Sequence, residues 1–168
     1  MTQSVPPPQP TDGNPFAQKS EAVPPAPLAP APTPARGNIA LGIVAAVVAA
    51  LVTAGIYGAI VGATEYEIGY AAVGVGFVIG FAAGKIGGAN PALPVLSAIL
   101  SLGAVYLGQL IGIAAIGADD LGVSVTTILT DHLDVVTKVW SEEADALSFV
   151  FLGIGAFAAF SGAKKAAA

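Results

Sequence analysis

No charged residue occurs between Arg36 and Glu65, and that gap decides most of what the chain can become. At about 1.5 Å per residue, the run NIALGIVAAVVAALVTAGIYGAIVGAT crosses a hydrocarbon core of roughly 30 Å once and is too short to cross it twice. Three more uncharged stretches follow, over residues 68–84, 92–116 and 146–163. The second is at the short limit for a span, but Lys85 at its end can snorkel and extend the apolar length toward Gly88. Pro91 and Pro94 open the third, where a helix tolerates proline because the first turn needs no N–H. Only 10% of the residues are charged and 55% are hydrophobic, against about 25% charged in a soluble domain. A chain this poor in charge cannot cover itself with a solvated surface, and lipid is its natural solvent.

The same composition excludes several function classes. The net charge is −5, with six lysines and arginines in all, so there is no basic cluster to hold nucleic acid. There is no cysteine, hence no disulfide, thiolate metal site or cysteine nucleophile. GxSxG, Walker A and HExxH motifs are absent. The glycine spacing in GYAAVGVGFVIG lies inside an apolar stretch without Lys or Arg, so it is no phosphate loop. No enzyme activity, cofactor or metal is expected.

Eleven of the thirteen prolines precede residue 35. The segment VPPAPLAPAPTPA favours polyproline II and has too little bulky apolar surface to fold alone. Residues 1–37 are therefore expected to form a disordered tail, a solvated spacer or a docking segment with PxxP spacings. No basic n-region precedes the first apolar run, which reads as an uncleaved anchor.

The expected fold is all-α: an integral membrane four-helix bundle over residues 38–165, with spans at about 39–63, 67–88, 92–117 and 146–163, and a short C-terminal tail at 166–168. Between the last two spans, residues 123–140 are amphipathic. Val125, Ile128, Leu129, Leu133, Val136, Val139 and Trp140 share one face, and Thr127, Thr130, Asp131, Asp134 and Lys138 the other. We read an interfacial helix with Trp140 at headgroup level; a short cap packed on the bundle gives the same pattern. In four spans, Arg36, Lys85, Lys164 and Lys165 fall on one side, opposite Glu65, Glu67 and the acidic region 119–145. The positive-inside rule then places both termini in the cytoplasm.

Small residues recur every four positions: Ala72, Gly76, Gly80, Gly84 and Gly88 in the second stretch, Ala50, Ala54, Gly58 and Gly62 in the first, Ala104, Gly108 and Gly112 in the third, and Gly155 and Ala159 in the fourth. Such ladders let helix backbones approach closely in lipid, where hydrophobic drive between helices is weak. Gly58, Gly62, Gly76, Gly80, Gly84, Gly108 and Gly112 are the candidate packing residues, either within one chain or between copies. No ionisable group lies at the centre of any stretch, which counts against a proton-coupled transporter. Gln109 is the deepest amide and reads as an interhelical packing group. Glu65 and Glu67 are either solvated turn residues or an outer contact surface. His132, the one histidine, reads as a packing residue rather than a metal ligand.

The run YEIGYAAVGVGFVIGFAAG, residues 66–84, resembles a segment of a group of small bacterial four-span membrane proteins, in which [YF]-E-[IL]-G-[YW] opens the second span and glycines recur after it. The acidic approach to the last span, SEEADALSFVFLGIGAFAAF, is similar too, and the likeness covers residues 38–165. It implies the four-span fold and a bacterial plasma membrane, and brings no known activity with it. The function expected is that of a non-enzymatic envelope component that works by assembly with itself or with a membrane partner. The alternative is a small oligomeric channel or permease packed through the glycine ladders.

Overall fold

The computed structural model describes residues 37–66 and 68–168. The tail expected over 1–37 falls, but for Gly37, outside the described residues, as does Glu67. Among the described residues the chain is all-helical: α1 Ile39–Thr64, α2 Ala71–Gly87, α3 Ala92–Leu121, α4 Val125–Asp131, α5 Leu133–Glu143 and α6 Ala146–Ala167. Three of them, α1, α3 and α6, are long and apolar enough to cross a membrane. The fourth apolar helix, α2, has 17 residues and spans about 25 Å.

Side-chain size, rather than polarity, separates the inside of the bundle from the outside. On α1 Gly42, Ala46, Ala50, Ala54 and Gly58 are buried, one every fourth position, and Tyr57 and Val61 are buried beside them where α1 meets α3. Val44, Val48, Leu51, Val52 and Ile56 are each more than half exposed on the same helix. A water-soluble fold would do the reverse, because large apolar side chains gain most from leaving water. Small residues inside and bulky ones outside suit a solvent of acyl chains.

The ladders pair helices within this one chain. A Cβ built on Gly76, Gly80 or Gly84 of α2 would run into the backbone carbonyls of Gly155, Ala159 and Ala163 of α6, in that order. Both series rise by four, so α2 and α6 run parallel in strict register. On the other side, a Cβ at Gly58 would stand 2.5 Å from Ile111 Cγ2, and one at Gly62 2.6 Å from Ala115 Cβ. Reciprocally, Gly108 meets Tyr57 and Gly112 meets Val61, so α1 and α3 also run parallel. α2 and α3 touch across the middle, while α1 and α6 occupy opposite corners without contact. All seven candidate packing glycines thus lie on contacts between helices of this chain.

Local chemistry sets the ends. Asn38 Oδ1 accepts from the N–H groups of Ala40 and Leu41 and starts α1. Gly122, at φ 66, ends α3 in the left-handed region that suits glycine. α2 begins at Ala71 rather than at 67, because residues 68–70 form the turn that leads into it. Glu65 takes φ 57 to stop α1, and the N–H of Ala71 bonds back to Ile68 O. With 30 residues, α3 is about 45 Å long, so it extends well past a 30 Å core.

The second half of α3 carries the amphipathic segment, and here the structure departs from a single helix over 123–140. Two short helices, α4 and α5, meet at His132 and pack on α3. The break has a reason. A straight helix would reach α3 over one short length, whereas the bend lets both Ile128 and Val136 bury against Leu110, Ala114 and Ala118. Leu133 is left 47% exposed by it. His132 is exposed at the bend rather than packed on the apolar face.

The α2–α6 contact gives a direct test. Gly80→Ala should lower the unfolding free energy in detergent micelles by about 1–3 kcal/mol, the usual cost of forcing extra volume into a packed interface. Gly74→Ala, on the same helix but with open space around its Cβ position, should instead raise it by up to about 1 kcal/mol through helix propensity. Equal effects at the two positions would show that α2 does not meet α6 in this register.

Candidate functional site: a polar recess beside the short helices

Polar side chains converge at one end of the bundle. The end of α1, the outer half of α3, the end of α5 and the start of α6 enclose a recess of about 120 Å³. Val61, Ile113 and Ile116 form its apolar wall, and Glu65, Gln109, Trp140, Glu143 and Ser148 bring polar atoms. At roughly 30 Å³ per molecule, it has room for about four waters.

Gln109 is the fixed point. It lies about 25 Å along α3 from Ala92 and is only 5% exposed. Its Oε1 accepts the indole N–H of Trp140 at 2.9 Å. The Trp140 ring stands edge-on to Tyr106, with centroids 4.7 Å apart, and edge-on to Phe149 of α6 at 6.4 Å. One indole therefore ties α5 to both α3 and α6, with its polar edge satisfied and its rings packed. The bond is part-buried, and where water is partly excluded such a bond is electrostatically stronger than at an open surface.

The two carboxylates reach the recess by different routes. Glu65 is held by a left-handed backbone turn whose N–H caps α1 at Val61 O, 2.8 Å. Glycine would hold that turn without the roughly 1–2 kcal/mol penalty of a Cβ there, so a glutamate carrying it places a carboxylate at the rim. Glu143 ends α5. Two residues on, Asp145 caps α6 and accepts from the N–H and the hydroxyl of Ser148 at 2.8 and 3.0 Å. The Ser148 backbone bond, with help from its hydroxyl, holds the Asp145 carboxyl below the usual carboxylate range.

A neighbouring recess of about 190 Å³ shares Glu143 and Ser148 and adds Gly69, Asp145, Leu147 and Phe151. Gly69 sits so close to the Phe151 ring that a Cβ would run into it. The connection after α1 is thereby packed on α6, next to the acidic turn. Among the described residues, no group of three His, Cys, Asp or Glu side chains is arranged to hold a metal ion. The arrangement gathers acidic and other polar groups at this end of the bundle.

Of the two glutamates singled out in the sequence, Glu65 belongs to the recess, and Glu67 lies outside the described residues. Sequence reasoning missed Trp140 as a partner of Gln109, and Glu143 and Ser148 as neighbours of Glu65. The signal available was weak: one tryptophan and one buried amide, far apart in the chain. No protein-family model, curated protein or solved structure matches the chain.

The bond can be followed through Trp140, the one tryptophan in the chain. Gln109→Leu should loosen α5, shift the indole emission and raise its quenching by acrylamide, while leaving total helicity within error. Unchanged emission and quenching would mean that the indole is not held by this amide.

Proposed function

We propose that the chain is a four-span protein of a bacterial plasma membrane that works without catalysis, by assembling with a membrane partner through its acidic end. In this reading α2 crosses as well as α1, α3 and α6, with Lys85 lengthening its reach. Both termini then lie in the cytoplasm with the lysines, and the short helices and the recess lie outside. The likeness of residues 66–84 to the four-span bacterial group supports the same topology.

The observation that carries the reading is where the small residues go. The ladders are taken up by contacts between α2 and α6 and between α1 and α3, and bulky apolar side chains face outward. No Asp, Glu, Lys, Arg or His sits at mid-helix in the four apolar helices, which counts against a proton-coupled transporter. The polar chemistry is gathered at one end, where Glu65, Asp119, Asp120, Asp131, Asp134, Glu142, Glu143 and Asp145 stand against Lys138. A partner with basic residues outside its own spans fits that face. A pore formed by several copies would have to use other faces than the glycine ladders.

The topology is open to labelling, because the chain has no cysteine of its own. Tyr66→Cys and Asp120→Cys should react with a membrane-impermeant maleimide on intact cells. Ala89→Cys and Lys165→Cys should react only after permeabilisation. Labelling of Tyr66→Cys and Ala89→Cys from one side would mean that α2 does not cross.

Assembly is tested by a photo-crosslinking residue placed at Glu142, on the acidic end, or at Gly74, on the open face of α2. In native membranes, Glu142 should give one reproducible product with a different membrane protein, and Gly74 should give none. Self-crosslinked oligomers alone, together with ion flux in liposomes of the purified protein, would favour the channel instead.

A further inference from the structure

The opposite end of the bundle holds a larger recess of about 350 Å³, within the roughly 300–1,000 Å³ range of sites that take small organic ligands. It opens where the α2–α3 connection, the first turn of α3 and the last turns of α6 fail to close on one another. Gly88 turns the chain at φ 75 and offers no side chain. Pro91 and Pro94 present short rings, and α6 faces them with Ala163 and Ala167. Phe160 supplies an aromatic wall, and Lys164 lines the same space with its ammonium 5.5 Å from the centre of that ring.

Among the described residues, the charged side chains around this recess have one sign. Lys165 follows Lys164, and Lys85 stands level with them because Gly84 abuts Ala163. The carboxylate side chains of the described residues belong to the other end: Glu65 ends α1, Asp119 and Asp120 lie in the last turn of α3, and the rest fall on α4, α5 and the α6 cap. An ammonium resting on an aromatic face, with no acidic side chain beside it among the described residues, is placed to receive an anion. The apolar walls below it suit hydrocarbon and would gain nothing from a small hydrated ion.

We infer that this recess seats one anionic phospholipid, with its phosphate at Lys164 and its glycerol and first methylenes against Pro94, Phe160 and Ala167. The inference rests on the membrane reading above, which sets this end at the cytoplasmic leaflet, where anionic headgroups meet basic pockets between helices. A soluble phosphate compound fits less well, since the floor is apolar and Lys164 stands at its edge.

Native mass spectrometry of the full chain, released from a mild neutral detergent with equimolar phosphatidylglycerol and phosphatidylcholine, tests it. The protein should retain one phosphatidylglycerol, preferred by about five-fold, the weight of one surface lysine toward an anionic lipid. Lys164→Gln should bring the two lipids near parity, and Lys164→Arg should keep the preference. Ala167→Phe, which fills the recess, should lose both lipids. Lys138→Gln, at the far end, should behave as the parent does. Trp140 emission checks that each variant is folded. Equal retention of the two lipids by the parent, a preference that survives Lys164→Gln, or displacement of the lipid by inorganic phosphate would overturn the seat. A chain that labels as four spans yet shows no lipid preference loses only this inference. A chain whose labelling contradicts four spans loses the membrane topology instead.

Discussion

The structure depends on how close two backbones can come. α2 and α6 meet with almost nothing between them: Gly76, Gly80 and Gly84 lie directly on the carbonyls of Gly155, Ala159 and Ala163. In lipid this matters more than in water, because moving a leucine from acyl chains into a protein interior gains little. Helix association must come from dispersion over many close contacts and from weak Cα–H···O bonds. One methyl group at the seam is enough to hold the helices apart. The parallel run of α2 and α6 follows from the seam, and so does the need for a long return path, which α3, α4 and α5 supply.

Much of this was legible in the sequence, for a physical reason. A step of four small residues is a local property of one helix, and it was visible at Gly76, Gly80 and Gly84 and at Gly108 and Gly112. Which ladder meets which is not local. Nothing in the spacing says that α2 takes α6, since small residues recur every four positions in all four apolar helices. Here the carbonyls, and not a matching set of glycines, make the opposite wall. The recess was less legible still. Gln109 and Trp140 are joined by one bond across 31 positions, and an interfacial tryptophan looks the same in sequence as a packed one. Glu65 in a left-handed turn leaves no pattern at all, because glycine is what that turn normally selects.

The length of α3 explains why polar chemistry sits at one end. The second half of this long helix, from Tyr106 through Ala118, is covered by Ile128, Val136 and Trp140 of the short helices. Those two short helices need one firm tie to stay down, and the indole of Trp140 provides it by joining Gln109, Tyr106 and Phe149. The acidic residues are carried along: Glu143 ends the helix that Trp140 anchors, and Asp145 starts the next. The recess is therefore a by-product of docking a short helix onto a long one, with Glu65 brought to its edge by the α1 turn.

Ser97 and Ser101 show how far the close-packing rule reaches. Both are completely buried on α3, and their hydroxyls have no hydrogen-bond partner. An unpaired buried hydroxyl normally costs about 1–3 kcal/mol, so a hydrogen-bonding role does not account for them. Size does. Ser101 Oγ stands 2.9 Å from where a Cβ on Gly76 would be, at the point where α3 leans into the α2–α6 seam. Serine is there as a side chain little larger than alanine, among neighbours that admit nothing bigger. The same logic leaves α3 and α6 as the two helices that touch both recesses. α3 brings Gln109 to one and Pro94 to the other, and α6 brings Ser148 to one and Phe160 and Lys164 to the other. The bundle between them holds no charge at mid-helix, and its contribution is to fix these two ends, one acidic and one basic, at opposite faces of the same pair of helices.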